Sequence, residues 1–229
     1  MPVAIVTGGS RGLGRALALD LATAGWSLVI DGRSAEALEN VRDEISRAGG
    51  VVEAVAGDIA DAEHRAAVLG AAERLGTLEL VVNNASTLGP SPLPSLARLS
   101  LDALRDVYEV NVLAPLALVQ AAMPLLRRSG GIVVAVTSDA AVEAYEGWGG
   151  YGSSKAALDQ LHHVLAAEEP ELRVYVFDPG DMRTDMHQAA FPGEDISDRP
   201  PPESVVPSLR QLISSGLGSG RYRASEVPA

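Results

Sequence analysis

Short apolar runs alternate with longer segments of helical period along most of this chain, and this alternation constrains the fold more than any other feature. The runs are Val3–Thr7, Ser27–Ile30, Val51–Val55, Leu78–Asn83, Ile132–Thr137 and Val174–Phe177. The helical segments are Gly14–Ala24, Ala35–Ala48, Ala62–Leu75, Leu101–Arg128 and Ser153–Ala167. Because the runs are nearly continuous in apolar residues, they are typical of strands covered on both faces. The order predicts an α/β fold with right-handed βαβ units: a doubly wound, parallel sheet of about seven strands with helices on both faces.

The C-terminal part of the chain, from residue 181 onward, differs from the rest in composition and in its pattern of apolar residues. Proline and acidic residues are frequent in residues 181–203, so we expect a loop with one short helix there. A helix over Ser204–Ser214 and a short strand near Gly220–Ala224 would complete one domain over residues 1–229. Ligands bind beyond the carboxyl ends of the strands in such sheets, so the loop is predicted to be a substrate-binding lid. A disordered surface loop is the alternative.

Charge and composition argue against several classes of function. The net charge is -12 at pH 7, whereas binding to nucleic acid or to an anionic membrane needs a basic surface. The chain has no cysteine, and the adjacent His162 and His163 would point in different directions on a helix, so no metal site is predicted. There is no basic leader and no apolar run of about 18 residues, so we expect a cytoplasmic protein.

A glycine-rich turn follows the first run directly: Thr7-Gly8-Gly9-Ser10-Arg11-Gly12-Leu13-Gly14. Glycine permits positive φ and lets a ligand approach the backbone, and the helix that follows presents free N–H groups to a phosphate. The spacing is Gly-x3-Gly-x-Gly rather than the Gly-x-Gly-x-x-Gly of the commonest dinucleotide fingerprint. The turn predicts a phosphate site, with a plain tight turn between strand and helix as the alternative.

A series of motifs resembles the short-chain dehydrogenase/reductase family over essentially the whole chain. They are Thr7-Gly8-x3-Gly12-x-Gly14, Asp58-Ile59, Asn83-Asn84-Ala85, Asn111, Ser138, Tyr151-x3-Lys155 and Pro179-Gly180-x3-Thr184. The resemblance implies a Rossmann fold, a nicotinamide dinucleotide cofactor and oxidoreduction of a carbonyl or alcohol. It implies cofactor contacts at Gly8, Ser10, Arg11, Gly12, Leu13, Gly14, Arg33, Asp58, Ile59, Asn83, Ala85, Ser86, Tyr151, Lys155, Pro179, Gly180, Met182 and Thr184.

The same resemblance places Asn111, Ser138, Tyr151 and Lys155 at a catalytic centre. An ordinary tyrosine pKa of about 10 is too high for efficient acid–base work near neutrality. Lys155 shares a helix face with Tyr151, so we expect its charge to lower the pKa of Tyr151, while Ser138 would donate to the substrate oxygen. Lys155 is also the only lysine among 18 basic residues. The alternative is an ordinary surface Tyr and Lys on a helix.

Asn111 has a separate physical argument, because Pro115 lies four residues later in the segment Leu101–Arg128. Proline has no N–H, so the main-chain carbonyl of Asn111 loses its helical partner and the helix should kink. In the family that carbonyl holds a water leading to the lysine, which implies a proton relay here. The alternative is an Asn and a Pro that merely end a helix.

The choice between NADP and NAD depends on the end of the second strand. An acidic residue there usually binds the ribose hydroxyls and excludes a 2′-phosphate, and Asp31 lies near that place. Alignment with the family, however, puts Gly32 at the discriminating position, followed by Arg33, and Arg11 is a second basic position in the turn. Two guanidinium groups suit a phosphate, so NADP(H) is predicted in preference to NAD(H).

Several stretches resemble the sepiapterin reductase group within this family, notably Gly147-Trp148, Ala166–Pro170 and Thr184-Asp185-Met186. At Ala224, however, the carboxylate that would anchor a pterin is missing, so pterin reduction is an alternative rather than the main prediction. Two departures from the family pattern are Ser86, in place of a glycine near the adenosine ribose, and Asp181, in place of an apolar residue.

The predicted substrate pocket is mostly apolar and partly aromatic: Leu88, Tyr145, Trp148, Asp181, Met186 and Phe191. If these residues are not simply core, they suggest a small apolar ketone, aldehyde or diketone that is reduced to an alcohol, or the reverse reaction. A dinucleotide-binding sensor or scaffold without turnover is the alternative from another class. Family members pair through the helices that carry Asn111 and Tyr151, so we expect a homodimer or homotetramer, and a small molecule as the only other partner.

Overall fold

The chain folds around one parallel sheet, and the computed structural model describes residues 1–227. The strands are β1 (Pro2–Val6), β2 (Ser27–Gly32), β3 (Val51–Ala56), β4 (Thr77–Asn83), β5 (Ile132–Val136), β6 (Arg173–Asp178) and β7 (Gly220–Arg223). The helices are α1 (Gly12–Thr23), α2 (Ala35–Arg47), α3 (Ala62–Leu75), α4 (Leu101–Tyr108), α5 (Ala114–Ser129), α6 (Gly149–Glu168), α7 (Asp185–Ala190) and α8 (Val206–Ser214). The strand order is β3-β2-β1-β4-β5-β6-β7. The predicted doubly wound Rossmann sheet is confirmed.

Two apolar layers cover the sheet. Helices α1, α2 and α8 pack on one face, around residues such as Leu17 and Leu209. Helices α3 and α5 pack on the other face, where Val68 and Leu118 are fully buried. Burial on both faces explains why β1, β4 and β5 are nearly continuous in apolar residues.

The prediction of burial on both faces is wrong for β3. This strand lies at the edge of the sheet, its residues are half-buried or exposed, and Val51 is 40% exposed. At the edge of the sheet the covering layers are incomplete, so an apolar run such as Val51–Val55 does not by itself show that both faces of a strand are buried.

The strand order reverses between β1 and β4, and the turns that follow these two strands therefore lie side by side at the carboxyl edge of the sheet. Such a topological switch point is where ligands bind in open α/β sheets. The hydroxyl of Thr7, after β1, accepts hydrogen bonds from the main-chain N–H groups of Asn84 and Ala85, each at 3.0 Å. The hydroxyl of Thr7 thus fixes the turn after β1 to the turn after β4.

A π-helical turn, Glu109–Leu113, joins α4 to α5. In this turn the N–H of Ala114 bonds to the carbonyl of Glu109, five residues earlier. Pro115 cannot donate to the carbonyl of Asn111, and the predicted disruption takes the form of this π turn rather than of a simple kink at proline.

By length and composition alone the continuous helix Leu101–Ser129 could cross a membrane, although core helices of water-soluble proteins pass the same test and α5 packs against β4 and α3.

Residues 181–203 contain the short helix α7 and otherwise follow a mostly irregular path, as the sequence indicates. The segment is held together by backbone bonds within it, among them Arg183 N–H to the carbonyl of Pro200 at 2.8 Å. The hydroxyl of Ser91 reaches across to the carbonyl of Ala189 at 2.6 Å. The segment therefore begins shortly after β6 and is bonded to the loop that follows β4.

Candidate active site

The glycine turn between β1 and α1 has the geometry of an anion site. Gly8 and Gly12 have φ of 66° and 55°, a region that disfavours side chains with a Cβ. A Cβ on Gly14 would lie 2.4 Å from the carbonyl oxygen of Gly8, so no larger residue fits there. Helix α1 begins without a side-chain cap and without an acid in its first turn, which leaves its N–H groups and its positive dipole end available to a phosphate.

The buried side chains of Asp31 and His64 hold the glycine turn in place from the interior of the protein. Asp31 is 1% exposed, and its Oδ1 atom accepts a hydrogen bond from the N–H of Gly8 at 2.7 Å. Its Oδ2 atom lies 3.1 Å from Nε2 of His64, which is also buried. The acid near the end of β2 is therefore turned into the protein. Sequence reasoning did not assign this pair, because a contact across 33 residues leaves no local signal.

The two arginines predicted to bind a 2′-phosphate lie on the surface around this turn. Arg33 follows β2 and is exposed. Arg11 is exposed as well, and its Nη1 atom lies 3.1 Å from the carboxylate of Asp185 on α7. A Cβ on Gly32 would lie 3.1 Å from the hydroxyl of Ser10, so the end of β2 runs close to the turn. Two arginines therefore face solvent at this corner, Arg33 after β2 and Arg11 in an exposed ion pair with Asp185.

The other residues assigned to the cofactor line the same carboxyl edge. Asp58 is exposed after β3 while Ile59 is buried, and Thr184 caps α7 by accepting from His187 N–H at 3.2 Å. Gly180 has φ of 72° and donates its N–H to Asp178 at 3.0 Å. The side chains of Leu13 and Met182 point into the apolar core, so Leu13 could meet a ligand only through its main chain.

Asn83, at the end of β4, carries the clearest structural sign of a missing ligand group. Its residue is 3% exposed, and within residues 1–227 neither Oδ1 nor Nδ2 has a hydrogen-bond partner. Buried amides are almost always satisfied. The neighbouring Asn84 is satisfied, since its Nδ2 donates to the carbonyl of Thr7 at 2.8 Å. A polar ligand such as a nicotinamide dinucleotide, bound across the switch point, fits this orphaned amide.

Tyr151 and Lys155 lie one turn apart on α6 and are buried, with 7% and 2% of their surface exposed. The ammonium nitrogen of Lys155 is 5.6 Å from the centre of the Tyr151 ring and donates to the carbonyl of Val136 at 2.8 Å. Burial lowers the pKa of Lys155 to about 8, and the charge of Asp159 partly opposes this shift. The pair is thus close together at the carboxyl end of β5.

The expected lowering of the tyrosine pKa is wrong for the protein on its own. Burial raises the pKa of Tyr151, the hydroxyls of Ser138 and Ser86 act in the opposite direction, and the carboxylates of Asp139 and Asp178 raise it further. Removing a phenolate from water outweighs the effect of a lysine whose ammonium is held by a carbonyl. Spacing on a helix shows that two groups are near each other and does not show how strongly either is desolvated.

Ser138 is near Tyr151, but its proton is already engaged. Its hydroxyl donates to Oδ1 of Asp139 at 2.9 Å and accepts from Ala140 N–H at 3.2 Å. The other oxygen of Asp139 accepts from the hydroxyl of Tyr145 at 2.9 Å. Ser138 must therefore exchange Asp139 for a substrate oxygen before it can act as the predicted donor.

Asn111 is completely buried, and all four hydrogen-bonding positions of its amide are used. Its Oδ1 atom accepts from Thr87 N–H at 2.8 Å and from the hydroxyl of Ser86 at 3.1 Å. Its Nδ2 atom donates to the carbonyl of Thr87 at 2.9 Å and to the hydroxyl of Ser154 at 3.0 Å. Ser154 in turn donates to the carbonyl of Tyr151 at 2.6 Å. Ser86, predicted beside a ribose, is thus part of the link between the β4 loop and Tyr151.

An apolar cluster surrounds the open side of Tyr151. Leu88 and Ala140 are buried against it, with Trp148 and Met186 packed around them. The Trp148 ring centre lies 5.7 Å from that of Tyr151. It lies 5.9 Å from that of Phe191 and 6.3 Å from that of Tyr145. Of the predicted pocket residues, Asp181 stands apart from the cluster and lines a neighbouring cavity of about 390 Å³ with Tyr145 and Asp139.

Behind the site, Arg221 on β7 connects three acceptors. Its Nη2 atom donates to the carboxylate of Asp178 at 2.9 Å and to the carbonyl of Ser138 at 3.1 Å. Its Nε atom donates to Asp159 at 3.2 Å. Sequence reasoning placed Arg221 only in a closing segment and gave it no role, because its partners lie 43 to 83 residues away.

Comparison with known proteins agrees with this geometry. The chain matches the family model described as short chain dehydrogenase over residues 2–195. It is 34% identical to a sepiapterin reductase of Mus musculus over 201 residues, which cover 82% of this chain and 77% of the relative.

Two solved structures show the same architecture. An alcohol dehydrogenase from the archaeon Thermococcus sibiricus, complexed with 5-hydroxy-NADP, has a TM-score of 0.87 and 28% identity, covering 97% of this chain and 95% of that one. A 7 alpha-hydroxysteroid dehydrogenase, complexed with NADH and 7-oxo glycochenodeoxycholic acid, has a TM-score of 0.88 and 29% identity, covering 97% of this chain and 92% of that one.

Proposed function

This chain belongs to the short-chain dehydrogenase/reductase family of oxidoreductases, and from that premise we propose that it is an NADP(H)-dependent enzyme that interconverts a carbonyl and an alcohol with Tyr151 as general acid and base. The observation that carries the proposal is the buried Tyr151–Lys155 pair, whose tyrosine packs in an apolar cluster. The pocket composition favours a small, apolar ketone, aldehyde or diketone as substrate.

The chemistry divides between the cofactor and the protein. A nicotinamide dinucleotide, when bound, supplies the hydride in reduction and accepts it in oxidation. In reduction the hydroxyl of Tyr151 gives its proton to the substrate oxygen, and in oxidation the phenolate takes the proton back. The positive charge of Lys155 favours the phenolate, and Ser138 holds the substrate oxygen once it has released Asp139. Apolar side chains around Trp148 keep water from the reacting oxygen.

The preference for NADP(H) rests on charge at the end of β2. The turned-in carboxylate of Asp31 holds the glycine turn, so it neither binds a ribose nor repels a 2′-phosphate directly. Arg11 and Arg33 remain as exposed cations at that corner. The Thermococcus sibiricus relative was solved with an NADP derivative, whereas the hydroxysteroid dehydrogenase was solved with NADH. Because the two relatives differ in their cofactor, the proposed preference for NADP(H) over NAD(H) rests on Arg11 and Arg33.

A pterin substrate is a second candidate, favoured by the 34% identity to mouse sepiapterin reductase. Ala224 offers no carboxylate at the position where the resemblance would place the pterin anchor, which favours the apolar carbonyl instead. We propose further that residues 181–203 close over the substrate as a lid, that the protein works in the cytoplasm, and that it forms a homodimer or homotetramer.

The test is NADPH oxidation across a panel of apolar ketones, aldehydes and diketones, with sepiapterin included. We expect Tyr151→Phe to lower kcat by at least about 100-fold with an unchanged Kd for NADPH. Tyr222→Phe is the matched control, since it removes a phenol whose hydroxyl bonds to the carbonyl of Gly218, away from the site. Cofactor binding without any Tyr151-dependent turnover would instead indicate a dinucleotide sensor or scaffold, and equal or better efficiency with NADH would overturn the NADP assignment.

A further inference from the structure

Arg221 connects the three elements on which the candidate catalytic groups stand. Its side chain is 19% exposed, and it reaches Asp159 on α6, Asp178 at the end of β6 and the carbonyl of Ser138 after β5. Asp178 is 3% exposed and the Asp159 side chain 9% exposed. An arginine fork can satisfy several acceptors at once, which a lysine at the same place could not.

Each partner of Arg221 adjoins a residue of the proposed reaction. Asp159 lies one helical turn after Lys155 and therefore on the same face of α6. Asp178 accepts from Gly180 N–H at 3.0 Å, in the turn that follows β6. The carbonyl of Ser138 belongs to the residue whose hydroxyl would meet the substrate oxygen. The guanidinium thus bonds to all three elements that carry these residues.

We propose that Arg221 is a positioning residue of this active site: it fixes the main chain of Ser138 and neutralises the carboxylates of Asp159 and Asp178, so that Ser138 and Lys155 keep their places and charges. The inference rests on the proposed function, because it refers to the proposed roles of Ser138 and Lys155 in the reaction. Its evidence is the set of contacts that Arg221 makes, and none of these involves the glycine turn or the pocket.

The charges around Tyr151 and Lys155 show what removal of Arg221 would do. The groups that face the pair are Asp139 after β5, Asp159 and His162 on α6, Asp178 on β6 and Arg221 itself. Asp159 raises the pKa of Lys155, and Asp178 raises that of Tyr151. Without Arg221, Asp159 would lose its arginine and Asp178 would keep only the longer contact with Nε of Arg223 at 3.6 Å. Both carboxylates would then act more strongly on the pair, and both pKa values would rise.

The single lysine of the chain makes this measurable without substrate or cofactor. Protein grown with lysine labelled by carbon-13 shows one ε-methylene signal, from Lys155, whose position follows the charge of the ammonium group. In the wild type we expect a midpoint near pH 8. Arg221→Met should raise the midpoint by about one pH unit, and Asp159→Asn should lower it. Arg74→Met, which removes an arginine paired with Glu53 on the distant edge strand, should leave it unchanged.

Turnover provides the second measurement. Arg221→Met should lower kcat by about tenfold or more, with less than about a twofold change in the KM for NADPH, because Ser138 is displaced while the glycine turn is intact. Arg221→Lys keeps the charge but not the fork, so it should recover only part of kcat. Its spectrum contains a second signal from the introduced lysine, and the signal already present in the wild type should keep its midpoint. If Arg221→Met does not fold, Arg221→Lys and Asp159→Asn still carry the test.

An unchanged Lys155 midpoint in Arg221→Met and in Asp159→Asn would overturn the inference, as would an equal shift in Arg74→Met. A protein without carbonyl turnover but with the expected shifts would refute the proposed function and leave the role of Arg221 in setting the Lys155 charge intact. The two failures are therefore distinguishable.

Discussion

The carboxylate of Asp31 accepts a hydrogen bond from the main-chain N–H of Gly8 at 2.7 Å, so the acid near the end of β2 anchors the glycine turn. Asp31→Ala removes this charge-assisted bond, and we expect the Kd values of NADP+ and NAD+ to rise together by about tenfold. Titration of both cofactors, followed by fluorescence, measures the change, with Asp43→Ala as control, since Asp43 is a half-buried residue on α2 that pairs with Arg42 and Arg47. A variant that lost affinity for NAD+ alone would show that Asp31 binds a ribose after all.

Arg33 should determine the preference for the 2′-phosphate. Arg33→Gln removes an exposed cation from the end of β2, so the Kd for NADP+ should rise by about tenfold while that for NAD+ changes by less than about twofold. Arg47→Gln, on the exposed surface of the following helix, should affect neither cofactor. Equal weakening of both cofactors by Arg33→Gln would contradict the proposed 2′-phosphate contact.

Asn111 should contribute to stability as well as to the site, because its buried amide has no unused position. In Asn111→Asp one carboxylate oxygen would replace the donor that faces the carbonyl of Thr87 and the hydroxyl of Ser154. We expect the free energy of unfolding to fall by about 2 kcal/mol or more. Urea denaturation measures this loss, and Asn40→Asp on the exposed face of α2 is the matched control. A loss no larger than that of the control would mean that the network is not tightly held.

His162 should make the protein less stable in mild acid. Burial lowers its pKa to about 4, whereas an unfolded histidine titrates near 6.5. Between these values the unfolded chain binds a proton that the native state does not, so this contribution to stability is present above about pH 6.5 and is lost as the pH falls toward about 4.

The matched pair His162→Leu and His163→Leu isolates this effect, since His163 is exposed on the same helix. Urea unfolding at about pH 7 and about pH 5 should show a smaller loss of stability on acidification for His162→Leu than for the wild type. His163→Leu should follow the wild type. Identical pH dependence in all three proteins would show that the pKa of His162 is the same in the native and unfolded states.

Local pattern was enough to predict most of the fold. The alternation of runs and helical segments predicted the parallel sheet, and the glycine turn was found between β1 and α1 with positive φ at Gly8 and Gly12. The same pattern misjudged the burial of β3, because an apolar run does not reveal how completely helices cover the two faces of a strand at the edge of the sheet.

The site was less accessible to sequence reasoning wherever it depended on distant contacts or on burial. Asp31 and His64 are 33 residues apart, and Arg221 meets Ser138 across 83 residues. The spacing of Tyr151 and Lys155 correctly predicted that they lie together on α6, yet it gave the wrong direction for the tyrosine pKa. Desolvation depends on everything packed around a group, and two residues of a motif do not contain that information.

Because of the π turn at Glu109–Leu113, the number of residues in this helix determines the directions in which the side chains of α4 and α5 point. An α-helix turns by about 100° per residue, so the extra residue in the π turn rotates the face of α4 relative to that of α5 by about that angle. Deleting one residue there would remove the extra residue but would swing Asn111 away from Ser154, or α4 away from α6. Most helices tolerate the insertion or deletion of one residue as a change of register. Here it would break the link through Asn111 between the loop after β4 and Tyr151.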